Sequence, residues 1–390
     1  MKNLFKKMDK TLFIFMAVYT ILGLVMIFSA SSISAVLYNK LKESYFFTKQ
    51  LEFAIAIWLV GLIFIIRFPT SKYQKLGPLI MVGILIALAG LYPYGSITNS
   101  AKSWYDLKFF SIQPSEFAKT AIILYLAVYY EKIIKRKDYD NMKIIFPMIL
   151  VLIATALVVF QPDLGTAIII AGIAAFIFLA IPIENKQMKT MKLTCIIGII
   201  AAAIFVVFGG NILKNSNLLT SEQKDRLTYR APCTRYTDKT GYQVCNGFIA
   251  INNGGLFGVG LGNSTQKYLY LPETYTDFIF PIVIEELGAL VGILIIIGYL
   301  IILYRLLKIA RNAVNMRGSI IAYGTFAYIL LHLLVNFMGI LALIPLTGVP
   351  VPFLSYGGSF YINLMFLLFT CERVAIETKN NKTKELLRSI

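Results

Sequence analysis

Long apolar runs recur along almost the whole 390-residue chain, and they constrain its fold more than any other feature. Each run has about 18 residues or more, the length a helix needs to cross a hydrocarbon core about 30 Å thick. The ten runs lie at residues 11–30, 47–66, 76–92, 114–130, 143–160, 164–181, 191–208, 278–304, 318–343 and 358–376. The chain is 58% hydrophobic and 15% charged, outside the range of soluble domains. The sequence therefore predicts an all-α polytopic membrane protein of about ten transmembrane helices in a single domain, residues 1–390.

Basic residues are distributed unevenly among the segments that connect these runs. With the N-terminus inside, the inner segments hold 23 of the 37 Lys and Arg residues, and the outer segments hold 11. Positively charged residues concentrate on the cytoplasmic side of membrane proteins. Both termini are therefore expected in the cytoplasm, with a C-terminal tail at about 377–390 and one long extracellular loop at about 209–276, between helices 7 and 8. The net charge of +17 follows from this topology and from contact with membrane lipids, and it does not indicate nucleic-acid binding.

Acidic side chains cluster where the long loop ends and the eighth apolar run begins. Residues 271–286 contain four of the 20 acidic residues, among them Glu273 and Asp277. Carboxylates at a membrane boundary are costly, so they mark candidate functional sites. Asp277 is expected in the first turn of the eighth helix, where it would meet a substrate at headgroup level. The alternative is that Asp277 and Glu273 only cap the helix and complement its dipole.

Two further acidic residues, Glu116 and Asp163, each follow a Gln-Pro turn at the same predicted membrane level. Glu116 and Lys119 are three residues apart in a helix, so they can form an ion pair on one face. Lys49, at the outer end of the second run, is either an interfacial lysine or a ligand of a lipid phosphate. Carboxylates and lysines from four helices at one level predict a shared outward-facing cavity.

The segment 345–359 contains three prolines and three glycines and cannot continue a helix. Non-helical backbone at membrane depth is tolerated only where protein or water satisfies its polar groups. The segment is therefore expected to form a re-entrant turn that lines the same cavity. His332 and Asn336, one turn apart in the preceding run, are interpreted as interhelical hydrogen-bonding residues rather than catalytic ones.

Four cysteines and one histidine are too few to favour a zinc site. Cys233 and Cys245 share the long outer loop, where the compartment would permit a disulfide. Their spacing does not establish the geometry of a bond, so this pairing stays open. Cys195 and Cys371 lie in or at the end of apolar runs and are interpreted as small buried residues.

Five motifs, in the same order, resemble those of the SEDS family (shape, elongation, division and sporulation). They are Gln113-Pro114-Ser115-Glu116, Pro162-Asp163-Leu164-Gly165-Thr166, Leu271-Pro272-Glu273 with Thr276-Asp277-Phe278-Ile279-Phe280, Glu285-Glu286-Leu287-Gly288, and Pro352-Phe353-Leu354-Ser355-Tyr356-Gly357-Gly358-Ser359. The resemblance covers the fourth to the tenth run. Residues 260–267 and 347–350 resemble the division branch, FtsW, more than the elongation branch, RodA. Tyr275, where the family usually has histidine, and Phe360 depart from the pattern, but neither removes a carboxylate.

This resemblance implies a peptidoglycan glycosyltransferase that polymerises lipid II on the outer face of the cytoplasmic membrane, at the division septum. Its implied partners are a class B penicillin-binding protein and other membrane proteins of the division machinery. Asp277 matches the family's presumed catalytic aspartate. The alternatives are an elongation-type (RodA-like) polymerase, a lipid II flippase and a non-catalytic scaffold.

The chemistry of lipid II polymerisation suggests a role for each candidate residue. A carboxylate must accept the proton of the attacking hydroxyl, and cations must neutralise the departing pyrophosphate. Asp277 is the expected base. The expected substrate- and phosphate-binding residues are Lys49, Lys119, Glu116, Asp163, Glu273 and Ser355. A divalent cation, Mg²⁺ or Mn²⁺, held by Asp277 and Glu116, would serve the same electrostatic purpose.

Overall fold

Helices form the body of the molecule, which a computed structural model describes over residues 2–37, 40–98, 101–107, 111–183, 186–208, 227, 229–268 and 270–388. In these residues the helices are α1 (Lys2–Phe5), α2 (Lys10–Leu37), α3 (Tyr45–Ile63), α4 (Tyr73–Tyr94), α5 (Pro114–Arg136), α6 (Asn141–Phe160), α7 (Leu164–Ala180), α8 (Lys186–Phe208), α9 (Lys239–Gly254), α10 (Ile279–Asn312), α11 (Met316–Ile340) and α12 (Gly358–Arg388). All except α1 and α9 coincide with the ten predicted runs. Helix α12 continues beyond the tenth run and through most of the predicted tail.

Seven helices in the described part of the chain, α2, α3, α4, α6, α10, α11 and α12, are long and apolar enough to span a membrane. Helix α7 is a further apolar helix, but it has only 17 residues. The predicted fold class, an all-helical multi-span membrane protein, is confirmed.

Helix α5 lies at the centre of the bundle. Its residues 118–128 form an uninterrupted buried stretch, as expected of a helix enclosed on all sides by other helices. Because α5 faces protein rather than lipid, it can carry Glu116, Lys119 and Glu131 at membrane depth.

A small antiparallel sheet lies between α4 and α5, and the sequence did not predict it. Strands β1 (Ser96–Thr98), β2 (Ala101–Asp106) and β3 (Ser111–Ile112) pair in the order β1-β2-β3. Strands this short give too little alternation to be detected from sequence. The Tyr105 hydroxyl donates to the carbonyl of Ala87 on α4 at 2.8 Å, which ties the sheet to the outer end of the bundle.

The loop after α9 pairs with α10 at a break in that helix. Gly288 has φ 86° and ψ 163° inside α10. Around it, residues 285–290 and 255–260 exchange four backbone hydrogen bonds of 2.9–3.2 Å. Gly258 and Gly288 both have positive φ, and a Cβ on either would lie 2.3 Å from a backbone oxygen of the other segment. Only glycine therefore fits at this crossing.

Glu285 and Glu286 anchor the segment 264–267 to the same break. Buried Glu285 accepts hydrogen bonds from the Thr265 hydroxyl at 2.9 Å, from the Ser264 hydroxyl and from two backbone amides of this segment. Glu286 accepts from Lys267 at 2.9 Å and from Ser29 on α2 at 2.7 Å. Both carboxylates therefore have structural contacts that fix the chain leading to residues 271–278.

A disulfide joins Cys233 and Cys245, with their Cα atoms 4.9 Å apart. It links the 3₁₀ turn Pro232–Arg235 to α9. The remaining cysteines are free; Cys371 is buried and Cys195 is half-buried.

Candidate active site

A cavity of about 340 Å³ opens at the end of the bundle that the charge distribution assigns to the outside. Its walls come from the outer ends of α5 and α7, from the segments 272–277 and 346–350, and from Trp104 on β2 and Gln243 on α9. Among the lining residues that the structure describes there is no Lys or Arg. Four are carboxylates: Glu116, Asp163, Glu273 and Asp277. The structure thus brings together the acidic residues that the sequence placed in one cavity.

Asp277 lies just before α10 rather than in its first turn. The helix begins at Ile279, its N-cap residue is Phe278, and that N-cap has no capping side chain. The first-turn prediction was wrong because residues 272–278 form consecutive turns, closed by a hydrogen bond from the Phe278 amide to the Glu273 carbonyl at 3.2 Å. Thr276 donates its hydroxyl to Glu273 at 2.6 Å and lies 3.2 Å from Asp277 Oδ1.

Asn336 on α11 holds the backbone of Asp277 in place. Its Nδ2 donates to the carbonyl of Asp277 at 2.8 Å and to that of Val349 at 2.7 Å. One buried amide therefore joins the two loops that form this side of the cavity. The sequence interpretation of Asn336 as a hydrogen-bonding residue fits this contact, although its link to Asp277 was not predicted.

Ser355 joins the same two loops and does not line the cavity. Its hydroxyl donates to the Thr276 carbonyl at 2.6 Å and accepts from the Val351 amide at 2.8 Å. The expected contact between Ser355 and substrate is not what the structure shows, because the hydroxyl is buried and engaged with backbone on both sides. Ser355 fixes the turn that precedes Asp277.

Asp163 is the N-cap of α7, one residue before the first turn in which it was predicted. It accepts a hydrogen bond from the Thr166 amide at 3.1 Å and another from Gln113 Nε2 at 3.2 Å. Gln113 is itself the N-cap residue of α5, and its backbone N–H donates to the Ser359 hydroxyl at 3.3 Å. The two Gln-Pro turns are thereby joined to each other, and Gln113 and Ser359 are site residues that sequence reasoning missed. The available signal was the place of Gln113 in the motif of Glu116 and the place of Ser359 at the end of the motif 352–359.

Glu116 and Lys119 form the predicted ion pair, with Oε1 and Nζ 2.8 Å apart. Lys119 is 1% exposed and lies beneath the cavity rather than on its wall. Its ammonium therefore serves Glu116 and is not placed beside a phosphate in the cavity. The second carboxylate oxygen of Glu116, Oε2, is buried and has no hydrogen-bond partner among the described residues.

His332 completes the support of Lys119. Its Nε2 lies 3.1 Å from Lys119 Nζ, and its Nδ1 lies 3.2 Å from the carbonyl oxygen of Pro350. Because an ammonium group only donates, Nε2 accepts and the proton resides on Nδ1, which donates to Pro350. His332 thus connects α5 to the segment 346–350, in agreement with an interhelical hydrogen-bonding role.

Lys49 lies away from the cavity. It forms an ion pair with Glu52 at 3.0 Å on the exposed side of α3. The expected meeting of Lys49 with the carboxylates is therefore not found, because its helical position directs the side chain to Glu52 one turn further along the chain.

Two tyrosines beside Asp277 remain neutral at ordinary pH. Tyr275 stacks on Phe46 with ring centroids 4.5 Å apart, and Tyr356 meets the same ring edge-on at 5.1 Å. Burial raises the pKa of each phenol to about 12, with the Glu273 charge adding to the effect at Tyr275. Tyr356 also lines the cavity, and neither phenol can act as a base at neutral pH.

Comparison with known protein families gives a match over residues 9–380 to the FtsW/RodA/SpoVE family, described as "Cell cycle protein". A probable peptidoglycan glycosyltransferase FtsW from Bacillus subtilis (strain 168) is 34% identical over 99% of this chain and 96% of its own length. Stage V sporulation protein E of the same organism is 33% identical over 87% of this chain and 88% of its own length. A probable peptidoglycan glycosyltransferase FtsW from Enterococcus hirae is 33% identical over 95% and 92% of the two chains.

Solved structures share the fold. A chain of a structure described as "Structural coordination of polymerization and crosslinking by a peptidoglycan synthase complex" superposes with a TM-score of 0.72 at 20% identity, covering 95% of this chain and 98% of that one. The rod shape determining protein RodA of Thermus thermophilus gives a TM-score of 0.64 at 21% identity, covering 94% and 96%. From the family match and these near-full-length relatives, the chain belongs to the FtsW/RodA/SpoVE family of cell cycle proteins, which is the SEDS family, and is a multi-pass protein of the cell membrane.

Proposed function

We propose that this protein is a peptidoglycan glycosyltransferase that polymerises lipid II at the outer face of the cytoplasmic membrane, at the septum during cell division. The observation that carries the proposal is the outer cavity, in which Asp277 and three other carboxylates face one space. Three of the relatives compared above support the assignment: two carry the name FtsW and glycosyltransferase, and one structure is of a peptidoglycan synthase complex.

The reaction joins a glycan hydroxyl to the anomeric carbon of a second lipid-linked sugar. The hydroxyl oxygen forms the new glycosidic bond, the bond from the anomeric carbon to the lipid pyrophosphate breaks, and the pyrophosphate leaves with the electron pair. Asp277 accepts the hydroxyl proton as general base. The phenol of Tyr356, another residue that lines the cavity, has a pKa of about 12 and stays protonated, so the carboxylate is the group suited to this step.

Positioning of the base depends on neutral hydrogen bonds. Asn336 holds the Asp277 carbonyl at 2.8 Å, and Ser355 holds the preceding carbonyl at 2.6 Å. Both donors are buried, so the loop is fixed before substrate binds. Because the base is already held in position, no conformational entropy is lost in ordering it during the reaction.

The departing pyrophosphate carries negative charge into an acidic cavity, so a cation is needed there. Among the described residues, no three His, Cys, Asp or Glu side chains come together as a metal-binding group. Mg²⁺, however, often binds through one or two carboxylates together with substrate phosphates. Glu116, with its unpartnered Oε2, and Asp277 are the residues that would hold Mg²⁺ or Mn²⁺. When bound, the ion would neutralise the developing phosphate charge.

Crosslinking of the new strand requires a second enzyme, and we place a class B penicillin-binding protein beside this chain, with other membrane proteins of the division machinery. The support is the synthase complex named above, which carries out polymerization and crosslinking. Dependence of polymerisation on the added transpeptidase would measure this part of the proposal.

The decisive test is an assay of the purified protein on lipid II, with and without its transpeptidase partner and with Mg²⁺, Mn²⁺ or EDTA. Formation of glycan strands is expected, and EDTA is expected to suppress it. A parallel assay measures lipid II translocation across liposomes. Translocation without any strand formation would replace the proposal with a flippase. Location of the protein along the side wall rather than at the septum would favour an elongation role.

A further inference from the structure

A second cavity lies at the opposite, inner end of the bundle, where α7, α10 and α11 meet. Its volume is about 230 Å³, and its polar lining residues are Arg311, Ser319 and Tyr323. Arg311 belongs to the last turn of α10, whereas Ser319 and Tyr323 lie one turn apart near the start of α11. We refer to this space as the inner groove.

The polar groups of the inner groove form no hydrogen bond or ion pair with other side chains of the described protein. Arg311 has no ion pair or hydrogen bond to another described residue, and the hydroxyl groups of Ser319 and Tyr323 have none either. No described residue that lines the groove is acidic. By contrast, Arg305 and Arg317, which flank the groove in sequence, are both paired with carboxylates. Among the described residues, the groove therefore presents one cation without an acidic partner, together with two hydroxyl groups, a set suited to a phosphate group.

The remaining walls of the inner groove are apolar. They include Ile177 and Ala180 on α7, Leu307 on α10 and Ile320 on α11. The groove thus has a cationic mouth at the level where the helices end and an apolar interior among membrane-spanning helices. An ordinary phosphate ion would use only the mouth, whereas a phospholipid has a group for each part. Basic pockets between transmembrane helices on the cytoplasmic side are suited to acidic headgroups.

We propose that the inner groove binds one anionic phospholipid of the cytoplasmic leaflet. Arg311 and Ser319 contact its phosphate, the Tyr323 hydroxyl donates to an oxygen one helical turn deeper, and an acyl chain lies against Ile177 and Ile320. The site is separate from the outer cavity and does not depend on the proposed glycosyltransferase activity.

Native mass spectrometry of the detergent-solubilised full-length protein tests this site. The probes are palmitoyl-oleoyl phosphatidylglycerol, palmitoyl-oleoyl phosphatidylcholine and inorganic phosphate. Retention of one phosphatidylglycerol in preference to phosphatidylcholine is expected. Arg311→Gln should lower that retention about fivefold to tenfold, because it removes one charge and its hydrogen bonds. Ser319→Leu, which keeps the arginine and fills the groove, should also lower it.

Lys308→Gln is the matched control, because Lys308 is exposed one turn before Arg311 and does not line the groove. It removes the same charge and should leave phosphatidylglycerol retention within about twofold of wild type. Equal losses in Lys308→Gln and Arg311→Gln would reduce the effect to general surface charge and overturn the site. Equal retention of both lipids would overturn the headgroup assignment. Displacement by millimolar inorganic phosphate would show that the ligand is the free ion and not the lipid.

Discussion

Acidic side chains at the inner end of the bundle and at the outer cavity differ in the groups that hold them. At the inner end, Glu131 lies 2.5 Å from a guanidinium nitrogen of Arg317, and Asp9 is held by Arg305 with Nε and Oδ1 2.9 Å apart. At the outer end, the contacts described for Asp163 come from an amide side chain and a backbone N–H. Arginine therefore compensates the charges of Glu131 and Asp9, whereas neutral dipoles hold Asp163 at the cavity.

The difference separates structural from functional acids. A carboxylate bound to arginine has its charge cancelled and its oxygens occupied, so it stabilises one arrangement of helices. A carboxylate that is held by neutral donors and also faces the cavity keeps its negative charge and stays available to a proton, a cation or a substrate. Glu285 also has neutral donors, but they enclose it completely and its role is structural. Glu116 stands between the two classes, since Oε1 binds Lys119 while Oε2 lies unpartnered at the cavity.

The comparison requires that the two ends of the bundle lie on opposite sides of the membrane, and thiol labelling tests this with an all-or-none result. In a chain with Cys195 and Cys371 replaced by alanine, a membrane-impermeant maleimide should label Glu52→Cys in intact cells and should not label Asp138→Cys. Both side chains lie at the surface of the protein near the ends of helices α3 and α5, with 58% and 38% of the side chain exposed. Labelling of Asp138→Cys alone would place the acidic cavity on the cytoplasmic side.

The largest catalytic effect is expected for Asp277→Asn, which preserves size but removes the proton acceptor. Lipid II polymerisation should fall on the order of 10²-fold or more, the usual effect of losing a general base. Thermal stability should stay near that of wild type. Glu52→Gln removes an exposed carboxylate outside the cavity and should retain full activity. Near-normal polymerisation by Asp277→Asn would remove Asp277 from the chemistry.

At the inner end, Glu131→Gln should affect stability instead of chemistry. It leaves the buried Arg317 without its carboxylate, and the free energy of unfolding should fall by about 3 kcal/mol. Denaturation in detergent measures the loss, and activity per folded molecule should be unchanged. Asp138→Asn, which breaks the exposed pair with Lys143, is the control and should unfold like wild type. A stable Glu131→Gln protein with low activity would contradict the division between the two ends.

A smaller effect is expected for Asn336→Leu, which removes both hydrogen bonds to the cavity loops. Activity should fall about tenfold and stability by about 1–2 kcal/mol, since two buried carbonyls lose their donor. The loss should appear in kcat more than in KM, because the residue positions the base without touching substrate. Thr325→Val removes a buried hydroxyl that donates to Ile321 within the same helix and accepts from Cys371 on α12, with no bond to either cavity loop, and it should not change kcat. An unchanged kcat in Asn336→Leu would refute the positioning role.

The smallest effect is expected for Lys49→Gln. The ion pair between Lys49 and Glu52 is exposed, and such pairs contribute little to stability. Polymerisation at saturating lipid II should stay within about twofold of wild type. A tenfold loss of polymerisation would instead support the phosphate-binding role of Lys49 that the sequence suggested.

Sequence reasoning was reliable where one physical variable decides the outcome. Apolar length located ten of the helices, seven of which are long and apolar enough to span a membrane. Pro114 marks the start of α5 because proline suits the first helical turn. The prediction that Glu116, Asp163 and Asp277 share a cavity needed only the side of the membrane, which the charge pattern supplied. Helix phase fixed the Glu116–Lys119 pair.

The predictions failed where side-chain direction or short-range geometry decides the outcome. Lys49 is at the right membrane level but bonds to Glu52, and Ser355 is in the right loop but bonds to backbone. The break at Gly288 lies inside an apolar run, so hydropathy cannot reveal it. Helix α9 was missed because its sequence is polar and contains several glycines, a composition that is typical of a loop.

The crossing of Gly258 and Gly288 has a consequence for genetics. At many packed contacts a larger residue on one side can be accommodated by a smaller residue on the other, which gives second-site suppressors. Here each glycine faces the backbone of the opposite segment, and its partner has no side chain left to shorten. A substitution at either codon should therefore lack an intragenic suppressor at the other, and selection for restored growth should return true revertants.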